Sequence, residues 1–417
     1  MSRPRKIERP RGTHDVVPAE QPLWRRIVDE AERLCYVYGY RPILTPVFEE
    51  TALFERTSGQ GSDVVQKEMY TFDDRSGRPL ALRPEATAPI CRAYVEHGMH
   101  RESQPVKLYT VGPFYRYATP QRGRHREFWQ LSVEAIGSDH PSLDAEVIHL
   151  YHALLGRLGI TEYELAVNSI GCAACRPAYL RRLGEWLAAN LDRLDDATRE
   201  KARANPLRVF DNLEAKPAAA RETLAEAPTI GASLCDACQE HFAAVLRDLD
   251  TYAVAYTQVP TLVRGLDYYT RTTWEFVGPE EGAQSVLSGG GRYDGLVEEI
   301  GGPPTPGVGF GAGIERLVLA LEHADIDASP PAIDVFFALD DDAPRERVAG
   351  WLGELRARGV ASDAEYAGRS LRGQLTQAAR LGATTVVVAR EDGATIRRAG
   401  HADEDVSLDE VSARLAS

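Results

Sequence analysis

Short apolar segments of strand length, divided by glycine, proline or aspartate turns, restrict the fold of this chain more than any other feature. They read MYTFDD, PLALRPE, KLYTVGPFYRY and FWQLSVEAIG, and they occupy much of the chain between residues 69 and 137. Segments of this length and spacing are typical of antiparallel sheets, whereas βαβ repeats place a helix between successive strands. The sequence therefore predicts an antiparallel sheet in the first part of the chain.

Helical patterns flank these strands. Apolar residues recur at helical spacing over Leu23–Tyr38 before Gly39, and this spacing predicts a helix. The stretch SLDAEVIHLYHALLGRLG, residues 142–159, predicts a second helix that is capped by its serine and ended by its glycine. From about Arg176 to Tyr252 the chain is rich in Ala, Leu and Arg at helical period, so we predict a helical insertion at about 172–255.

The last part of the chain has a different pattern. The stretch DIDASPPAID is typical of a linker, and beyond it strand-like and helix-like segments alternate from IDVFFAL to TTVVVAR. This alternation predicts a small α/β unit with a mostly parallel sheet. We therefore expect a first domain over 1–325, a linker over 326–332 and a second domain over 333–417.

The 417-residue chain is acidic, with 48 Lys+Arg, 62 Asp+Glu and a formal net charge of −14. Excess carboxylates repel a nucleic-acid backbone, so this charge excludes a general polyanion-binding surface and requires local basic patches for any nucleic-acid contact. The basic N-terminal stretch MSRPRKIERPRGTHD has no apolar run behind it, and no segment has the length needed to span a bilayer. We expect a cytoplasmic protein without membrane attachment.

Positive charge is concentrated at one predicted hairpin, RYATPQRGRHREFWQ, residues 116–130. Arginine presents a planar fork of donors that fits phosphate oxygens by two contacts. Arg116 lies just inside the first strand, whereas Arg122, Arg124 and Arg126 lie on the loop. The pattern indicates a phosphate-binding hairpin, and the alternative is a solvated tip with surface arginines.

The segment LVRGLDYYTRTTWEF, residues 262–276, places charge within apolar sequence. A buried Arg264 needs an anion beside it, which is either a local carboxylate such as Asp267 or a phosphate or carboxylate of a ligand. Tyr268 and Tyr269 add hydroxyls that can bind a small polar molecule. Ion pairing within the protein is the alternative to a ligand site.

Glycines interrupt two further strand-like segments, SGGGRYDGL and GVGFGAGIERL. Glycine within a strand usually marks close approach by a backbone or a ligand, and a flat ring could lie on so bare a strand. The second segment opens a helix that carries Arg316, which favours phosphate binding. Neither spacing matches a P-loop or a dinucleotide fingerprint. If one sheet presents these segments and 83–87 on a single face, they form an arginine-rich, glycine-floored pocket for a nucleoside triphosphate and a small polar ligand.

Four of the six cysteines form two C-x-x-C pairs, Cys172/Cys175 and Cys235/Cys238. Disulfides are rare in a reducing cytosol, so the pairs raise the question of a metal. Four thiolates could form a structural zinc site if the insertion folds back on itself. Reduced cysteines without metal are the alternative.

Five segments together resemble the ordered motifs of the histidyl-tRNA synthetase family, a class II aminoacyl-tRNA synthetase family. They are RPEATAP, FYRYATPQRGRHREFWQ, LVRGLDYYTRTTWEF, SGGGRYDGL and GVGFGAGIERL. The resemblance extends from about Pro10 to Leu321, with a family-like C-terminal domain beyond. It implies an α+β class II fold, in which helices flank an antiparallel sheet, with a helical insertion, a C-terminal α/β anticodon-binding domain and assembly as a homodimer.

The resemblance also implies a reaction. L-histidine would react with ATP, accompanied by Mg²⁺, to form histidyl-adenylate, and the histidyl group would pass to the 3′ end of tRNA(His). By this resemblance Arg116 and Arg264 hold the α-phosphate and the substrate carboxylate, and Arg264 does work that a metal ion does in related enzymes. Arg124 and Arg316 bind the distal phosphates, and Arg316 also covers the adenine.

The amino-acid site follows from the same resemblance. The residues expected to bind the α-amino group are Glu85, Thr87 and Gln130, and Ala86 is expected to belong to the histidine site. Glu134 and Tyr269 face the imidazole, with Tyr268 beside them. A buried carboxylate opposite a ring N–H discriminates well, because a substrate without that donor leaves the acceptor unpaired.

Two other functions compete with this interpretation. One is a catalytically inactive, histidine-binding regulatory subunit of ATP phosphoribosyltransferase, which resembles the catalytic domain but typically lacks the anticodon domain and the intact histidine motifs. The other is a structural or RNA-tethering protein, for which we expect Arg264 or Arg316 to be lost. This sequence contains an anticodon-type domain and intact histidine motifs, which the regulatory subunit typically lacks. It also retains Arg264 and Arg316. The sequence therefore favours the enzyme.

Overall fold

The computed structural model describes residues 6–57, 64–211, 213, 216–279, 285–326 and 332–416. The chain divides into two compact units, Met1–Ala328 and Ser329–Ser417. Residues 327–331 of the predicted linker lie outside the described residues. No described helix combines the length and apolar character needed to cross a membrane.

Helices and strands alternate irregularly in the first unit. Its helices are α1 (Gln21–Val37), α2 (Thr51–Thr57), α3 (Thr87–Glu96), α4 (Pro141–Leu158), α5 (Arg176–Ala189), α6 (Asp196–Ala204), α7 (Ala218–Ala225), α8 (Asp236–Thr251), α9 (Leu296–Glu299) and α10 (Ile314–His323). Its strands are β1 (Arg41–Pro42), β2 (Phe48–Glu50), β3 (Thr71–Asp73), β4 (Pro79–Leu82), β5 (Val106–Tyr115), β6 (Glu127–Ile136), β7 (Glu164–Ser169), β8 (Thr257–Gln258), β9 (Thr270–Val277), β10 (Val286–Arg292) and β11 (Gly307–Gly313).

An eight-stranded sheet with the order β1-β5-β6-β11-β10-β9-β7-β8 forms the centre of this unit. Its inner pairs are antiparallel, as predicted, and only the two edge strands β1 and β8 pair in parallel. One part of the prediction was wrong. The MYTFDD and PLALRPE strands, β3 and β4, form a separate three-stranded antiparallel sheet with β2, because β4 pairs on both sides with these short neighbours.

The two faces of the large sheet differ in composition. Successive side chains of a strand point to opposite faces, and one face places Trp274, Phe276, Val308 and Phe310 in a core that includes buried residues of α1, α4 and α10. The other face carries glycines and polar side chains. Helices α1, α4 and α10 therefore cover one side of the sheet. On the other side, buried residues of α3 and α9 pack with residues of β5 and β6, and the glycine-bearing strands β10 and β11 are left for a site.

The helix predicted at residues 142–159 is present, but its cap was wrong. The helix begins at Pro141, and His140 is the capping residue because its side chain accepts a hydrogen bond from the Ser142 backbone N–H, at 3.3 Å. Pro141 is favoured at the first helical position, which moves the start upstream of the serine. Gly159 ends the helix with φ +84°, as predicted.

The insertion has a hydrophobic core of its own, to which Tyr179, Leu183, Val209 and Leu224 belong. Its last helix, α8, differs in that its buried residues Val245 and Leu249 join the core of the large sheet. The helical prediction for this segment is confirmed, and α8 connects it to the large sheet.

A buried ion pair fixes the helices against the back of the sheet. Arg292 on β10 and Asp144 on α4 are both fully buried and hydrogen bonded, and the His241 ring on α8 lies 2.8 Å from the Asp144 carboxylate. Burial alone would raise the pKa of Asp144, but the Arg292 charge and the contact with His241 hold it below its usual range. Three elements distant in sequence therefore meet at one carboxylate.

The second unit is a small α/β domain. Its elements are β12 (Val335–Leu339), α11 (Arg345–Ala357), β13 (Ser362–Ala364), α12 (Leu371–Arg380), β14 (Thr385–Ala389), β15 (Ala394–Arg398), β16 (Glu404–Val406) and α13 (Val411–Ala416). The sheet order is β13-β12-β14-β15-β16. The predicted mostly parallel sheet is mixed instead, because a tight turn closed by Arg390 and Gly393 reverses the chain into the antiparallel strands β15 and β16.

Candidate active site

Glycines form the open face of the large sheet, and each lies beneath a long side chain. A Cβ atom on Gly289 would overlap the Arg264 guanidinium, and one on Gly309 would overlap the Glu134 carboxylate. Gly311 lies beneath Gln130 and Gly291 beneath Tyr269 in the same way. The glycine floor is therefore present, but side chains of the site already lie across it, so it is not the bare surface for a flat ring that the sequence suggested.

Two of the four predicted phosphate-binding arginines come from the β5–β6 hairpin. Arg116 follows β5, and its Nε donates to the Pro84 carbonyl at 2.9 Å. Arg124 lies at the hairpin tip, where Gly123 adopts φ +68°, and its Nη2 contacts Glu68 Oε1 at 2.8 Å. Hydrogen bonds therefore fix the orientation of both guanidiniums of the hairpin.

The other two arginines come from later parts of the chain. Arg264 precedes β9 and pairs with the Glu275 carboxylate on that strand. Its Nε is buried and has no hydrogen-bond partner among the described residues. Arg316, in the first turn of α10, donates to the Val286 carbonyl. Arg264 therefore retains one unused donor.

The four guanidiniums converge. The pKa of Arg316 falls to about 10, chiefly because the group is buried, and then because Arg124, Arg116 and Arg264 are close enough to repel its charge. Burial also lowers the pKa of Arg116, while Glu68 and Glu85 oppose that change. Such a surplus of partly buried positive charge is costly unless an anion joins it. The arrangement is suited to a polyphosphate.

Not every arginine of the hairpin takes part. Arg122 forms an exposed ion pair with Glu322 at 3.1 Å, and the Arg126 guanidinium stacks on the Tyr117 ring at 3.8 Å. The alternative of a merely solvated hairpin fits Arg122, and it does not fit Arg116 or Arg124.

Acidic and hydroxyl groups meet next to the arginines. Glu85 is buried, and it accepts hydrogen bonds from the backbone N–H groups of Thr87 (2.6 Å) and Ala88 (2.9 Å) at the start of α3. Thr87 Oγ1 donates to Glu134 Oε1 at 2.7 Å, and the Tyr293 hydroxyl donates to Glu134 Oε2 at 2.5 Å. The site thus contains two buried carboxylates, of which Glu134 receives a hydroxyl on each oxygen.

The ionisation of Glu134 is strongly perturbed. Burial raises its pKa to about 8, the hydrogen bonds from Tyr293 and Thr87 oppose this rise, and the nearby Glu85 carboxylate adds to it. Burial likewise raises the pKa of Glu85. A buried carboxyl with a perturbed pKa, surrounded by other polar and charged groups, is typical of a functional site.

Tyrosines enclose the acidic end. Tyr268 and Tyr269 are buried with ring centroids 4.7 Å apart, and the Tyr268 ring lies edge-on to Tyr293 at 6.0 Å. Gln130 lies on the same sheet face, and its Nε2 donates to Ser132 Oγ at 2.6 Å. Ala86 is buried as the capping residue of α3. The structure therefore places all of the predicted histidine-site residues on one side of the sheet.

Asp267 was one of the partners expected for Arg264, and two residues of the site, Glu275 and Tyr293, were not expected. Asp267 does not pair with Arg264, because it contacts Arg208 of the insertion at 3.0 Å, and Glu275 takes its place. Tyr293 was missed as a donor to Glu134. Its position in the motif SGGGRYDGL, two residues after the glycine triplet, was the available signal.

Comparisons with known proteins show which family the chain is similar to. The family model described as histidyl-tRNA synthetase matches residues 12–317. The chain is 46% identical over 416 residues to the histidine–tRNA ligase of Desulforudis audaxviator, covering 98% of both chains. It is 46% identical over 387 residues to the histidine–tRNA ligase of Pelotomaculum thermopropionicum, covering 92% of this chain and 90% of that one.

Solved structures give the same result. The apo histidyl-tRNA synthetase of S. aureus superimposes with a TM-score of 0.81 at 33% identity, covering 99% of this chain and 100% of that one. The match includes the large sheet with its flanking helices and the C-terminal domain. The motifs, the fold and the full-length similarity lead to one conclusion: the chain belongs to the histidyl-tRNA synthetase family.

Proposed function

We propose that this protein is a histidine–tRNA ligase, which activates L-histidine with ATP and transfers it to tRNA(His). The observation that carries the proposal is the convergence of Arg116, Arg124, Arg264 and Arg316 beside the buried carboxylates of the site. The arginines suit the phosphates of ATP, and the carboxylates suit the amino and imidazole groups of histidine. One face of the sheet thus carries positive groups for ATP and, beside them, negative groups for histidine.

In the first step a carboxylate oxygen of histidine attacks the α-phosphorus of ATP. A new P–O bond forms, the bond to the β-phosphate bridge breaks, and pyrophosphate leaves with the electron pair. Arg116 and Arg264 provide fixed positive charge for the α-phosphate and the substrate carboxylate. Groups that are oriented beforehand stabilise the developing charge without reorganising, which is the largest single contribution in many enzymes.

Arg124 and Arg316 bind the distal phosphates in this proposal, and Arg316 also covers the adenine. The nucleotide arrives as its Mg²⁺ complex, in which the metal ion belongs to the substrate and neutralises part of the outer phosphate charge. Glu68 orients Arg124, and the Val286 carbonyl orients Arg316.

The histidine side of the site recognises two cationic or donor groups. Glu85, Thr87 and Gln130 lie where the α-amino group binds, and Ala86 supplies the helix start beside them. Glu134 accepts the imidazole N–H, with Tyr268 and Tyr269 enclosing the ring. Thr87 and Tyr293 hold the Glu134 carboxylate in one orientation, so an amino acid without a ring donor leaves a buried acceptor unpaired.

In the second step a hydroxyl at the 3′ end of tRNA(His) attacks the carbonyl carbon of the adenylate, and AMP leaves. We assign anticodon binding to the C-terminal α/β domain and a cytoplasmic location to the enzyme. The domain limits 1–325, 326–332 and 333–417 remain part of this proposal.

The active form is proposed to be a homodimer. A groove of about 740 Å³ is lined by residues of α2, α3 and the preceding chain, and it lies outside the candidate active site. Exposed apolar side chains lie on the same stretch of chain, namely Leu44, Val47 and Phe48, and the exposed Phe72 ring of β3 lies edge-on to Phe48 at 6.4 Å. An apolar surface of this kind is typical of a protein interface. Sedimentation at several concentrations tests this assignment.

Histidine-dependent ATP–pyrophosphate exchange, followed by charging of tRNA(His) with labelled histidine, tests the function. We expect exchange with histidine alone among the amino acids, and stable labelling of tRNA(His). Absence of histidine-dependent exchange would overturn the proposal. The regulatory-subunit alternative predicts histidine binding without exchange, and it is not favoured, because the curated relatives are named histidine–tRNA ligase.

A further inference from the structure

Four cysteines meet at the base of the helical insertion, away from the candidate active site. Cys172 and Cys175 lie between β7 and α5, and Cys235 and Cys238 lie at the start of α8, 63 residues later in each case. The Sγ atoms of Cys172 and Cys175 are 3.8 Å apart, and the pairs Cys172/Cys235 and Cys175/Cys238 are each 3.9 Å apart. All four sulfur atoms lie within 4.8 Å of one another.

These separations match one coordination geometry. A tetrahedral zinc ion binds thiolates at about 2.3 Å, which places its sulfur ligands about 3.8 Å apart. A disulfide requires a separation of about 2 Å, and all four cysteines are free. The sequence left open whether the insertion folds back far enough to join the two pairs, and the structure shows that it does.

The surrounding backbone favours thiolates. The Cys172 N–H donates to Cys175 Sγ at 3.3 Å. Cys175 is the capping residue of α5 and Cys235 the capping residue of α8, so two of the four sulfurs lie at helix N-termini, where negative charge is stabilised. Gly171 adopts φ +69°, and a Cβ there would come within 2.8 Å of Cys175 Sγ. The chain is shaped to bring the sulfurs together.

We propose that Cys172, Cys175, Cys235 and Cys238 bind one structural Zn²⁺ ion. Four protein ligands leave no open position, so the ion has a structural role and no catalytic one. Binding releases the protons of those cysteines that are still thiols, and no oxidant or reductant is required. Among the His, Cys, Asp and Glu side chains of the described residues, these four cysteines form the group whose ligand atoms are close enough to hold a metal ion.

The proposed ion links the start of the insertion to its last helix, α8. Hydrogen bonds from the neighbouring Arg176 connect this cluster to the candidate active site. Arg176 directly follows the first cysteine pair, and its guanidinium donates to the carbonyls of Ile170 (3.0 Å), Gly171 (3.1 Å) and Tyr269 (2.5 Å). The Arg271 N–H donates to the Gly171 carbonyl at 2.8 Å. The segment that carries Cys172 and Cys175 therefore holds the backbone of Tyr269, a predicted histidine-binding residue, in place through Arg176. This coupling rests on the proposed function, whereas the metal site does not.

Metal analysis of the full-length protein tests the site. The protein is purified without chelator and without added metal, and its zinc content and thiol reactivity are measured. We expect one zinc per chain, with four thiols that become reactive only after a strong chelator removes the metal. Replacement by Co²⁺ should give the visible absorption of a tetrahedral tetrathiolate complex.

Variants separate the cluster from the other thiols. Cys238→Ser should lose the zinc, whereas Cys35→Ala, which removes a buried thiol of α1 outside the cluster, should retain it. If Cys238→Ser fails to fold, the thiol and cobalt measurements on the wild-type protein decide. Zinc well below one equivalent after growth with added zinc, with four freely reactive thiols, would overturn the proposal.

The coupling has its own measurement. Removing zinc should raise the KM for histidine more than the KM for ATP, because Tyr269 is the anchored residue. If removing zinc changes the KM for histidine and the KM for ATP equally, or changes neither, the proposed link between the metal and Tyr269 is wrong. The measured zinc content then tests the metal site by itself. If the wild-type protein shows no exchange at all, the proposed function fails while the zinc content remains a valid test.

Discussion

The Arg264 guanidinium lies across Gly289 and is paired with Glu275, the residue directly opposite Gly289 on the neighbouring strand. A glycine provides the space, and its cross-strand partner provides the charge that orients the arginine. The position of Arg264 therefore depends on two strands as well as on its own loop, which a local view of the motif LVRGLDYY does not reveal.

Adding one methyl group tests this arrangement. Gly289→Ala should displace Arg264 from the sheet and lower the rate of histidine-dependent pyrophosphate exchange by about 100-fold, comparable to removing one preorganised donor. Gly184→Ala on α5, where nothing lies near the added carbon, is the matched control and should leave the rate unchanged. An active Gly289→Ala enzyme would show that Arg264 does not need this position.

Histidine binding should depend on pH through Glu134. Its pKa of about 8 lies above the ordinary glutamate value, so at neutral pH most molecules carry a protonated carboxyl that cannot accept the imidazole N–H as a carboxylate. The KM for histidine should fall roughly fivefold to tenfold between pH 7 and pH 8.5, as the competent fraction rises.

Glu134→Gln removes the titrating group and should show a high KM for histidine with little pH dependence over that range. Between pH 4.5 and about 8, Glu134 stays protonated in the folded protein but is ionised in the unfolded chain. The contribution of Glu134 to the free energy of unfolding therefore decreases as the pH rises through this range. A wild-type KM that is flat with pH would contradict the assigned role.

Thr87 offers a more conservative test of the same carboxylate. Thr87→Val keeps the shape of the side chain and removes the donor to Glu134, which lies 2.7 Å away. At pH 8.5, where most molecules carry the Glu134 carboxylate, the KM for histidine should rise roughly tenfold, as expected for one hydrogen bond to a charged group, while the KM for ATP stays the same. Steady-state exchange with each substrate varied in turn measures both constants, and a change confined to ATP would count against the assignment.

The buried pair behind the sheet should determine stability. Asp144→Asn leaves the fully buried Arg292 with Asp294, 3.2 Å away, as its remaining carboxylate partner, and should destabilise the larger unit by about 3 kcal/mol. Glu30→Gln, which alters the ion pairs with Arg33 and Arg157, both of which are partly exposed, should cost at most about 1 kcal/mol. The difference between wild type and Asp144→Asn in thermal unfolding should shrink in acid, because the pKa of Asp144 is lowered and its contribution is lost as pH falls through that value.

Much of this fold could be predicted from local patterns. Helix α1 and the strands β5 and β6 follow directly from apolar period and turn residues, and the glycines at 289–291 mark the open face of the sheet. These features are local, since each depends on spacing within a few residues. The family resemblance supplied the candidate residues, which the fold then placed on one face.

Other features could not be predicted because they depend on contacts distant in sequence. Glu275 replaced Asp267 as the partner of Arg264 only because β9 and β10 are in register, and Asp144 meets Arg292 148 residues away. The cap of α4 depended on Pro141, whose effect on the helix start outweighed the serine preference. The four cysteines met for the same long-range reason.

The central claim is that converging guanidiniums activate histidine on ATP, and Arg264 tests it most directly. Histidine-dependent ATP–pyrophosphate exchange should be robust in the wild type and at least about 100-fold slower in Arg264→Ala, the loss expected for a preorganised charge in the transition state. The folded state of the variant is checked by its thermal unfolding. Wild-type exchange that does not depend on histidine, or an Arg264→Ala enzyme as active as the wild type, would contradict the account.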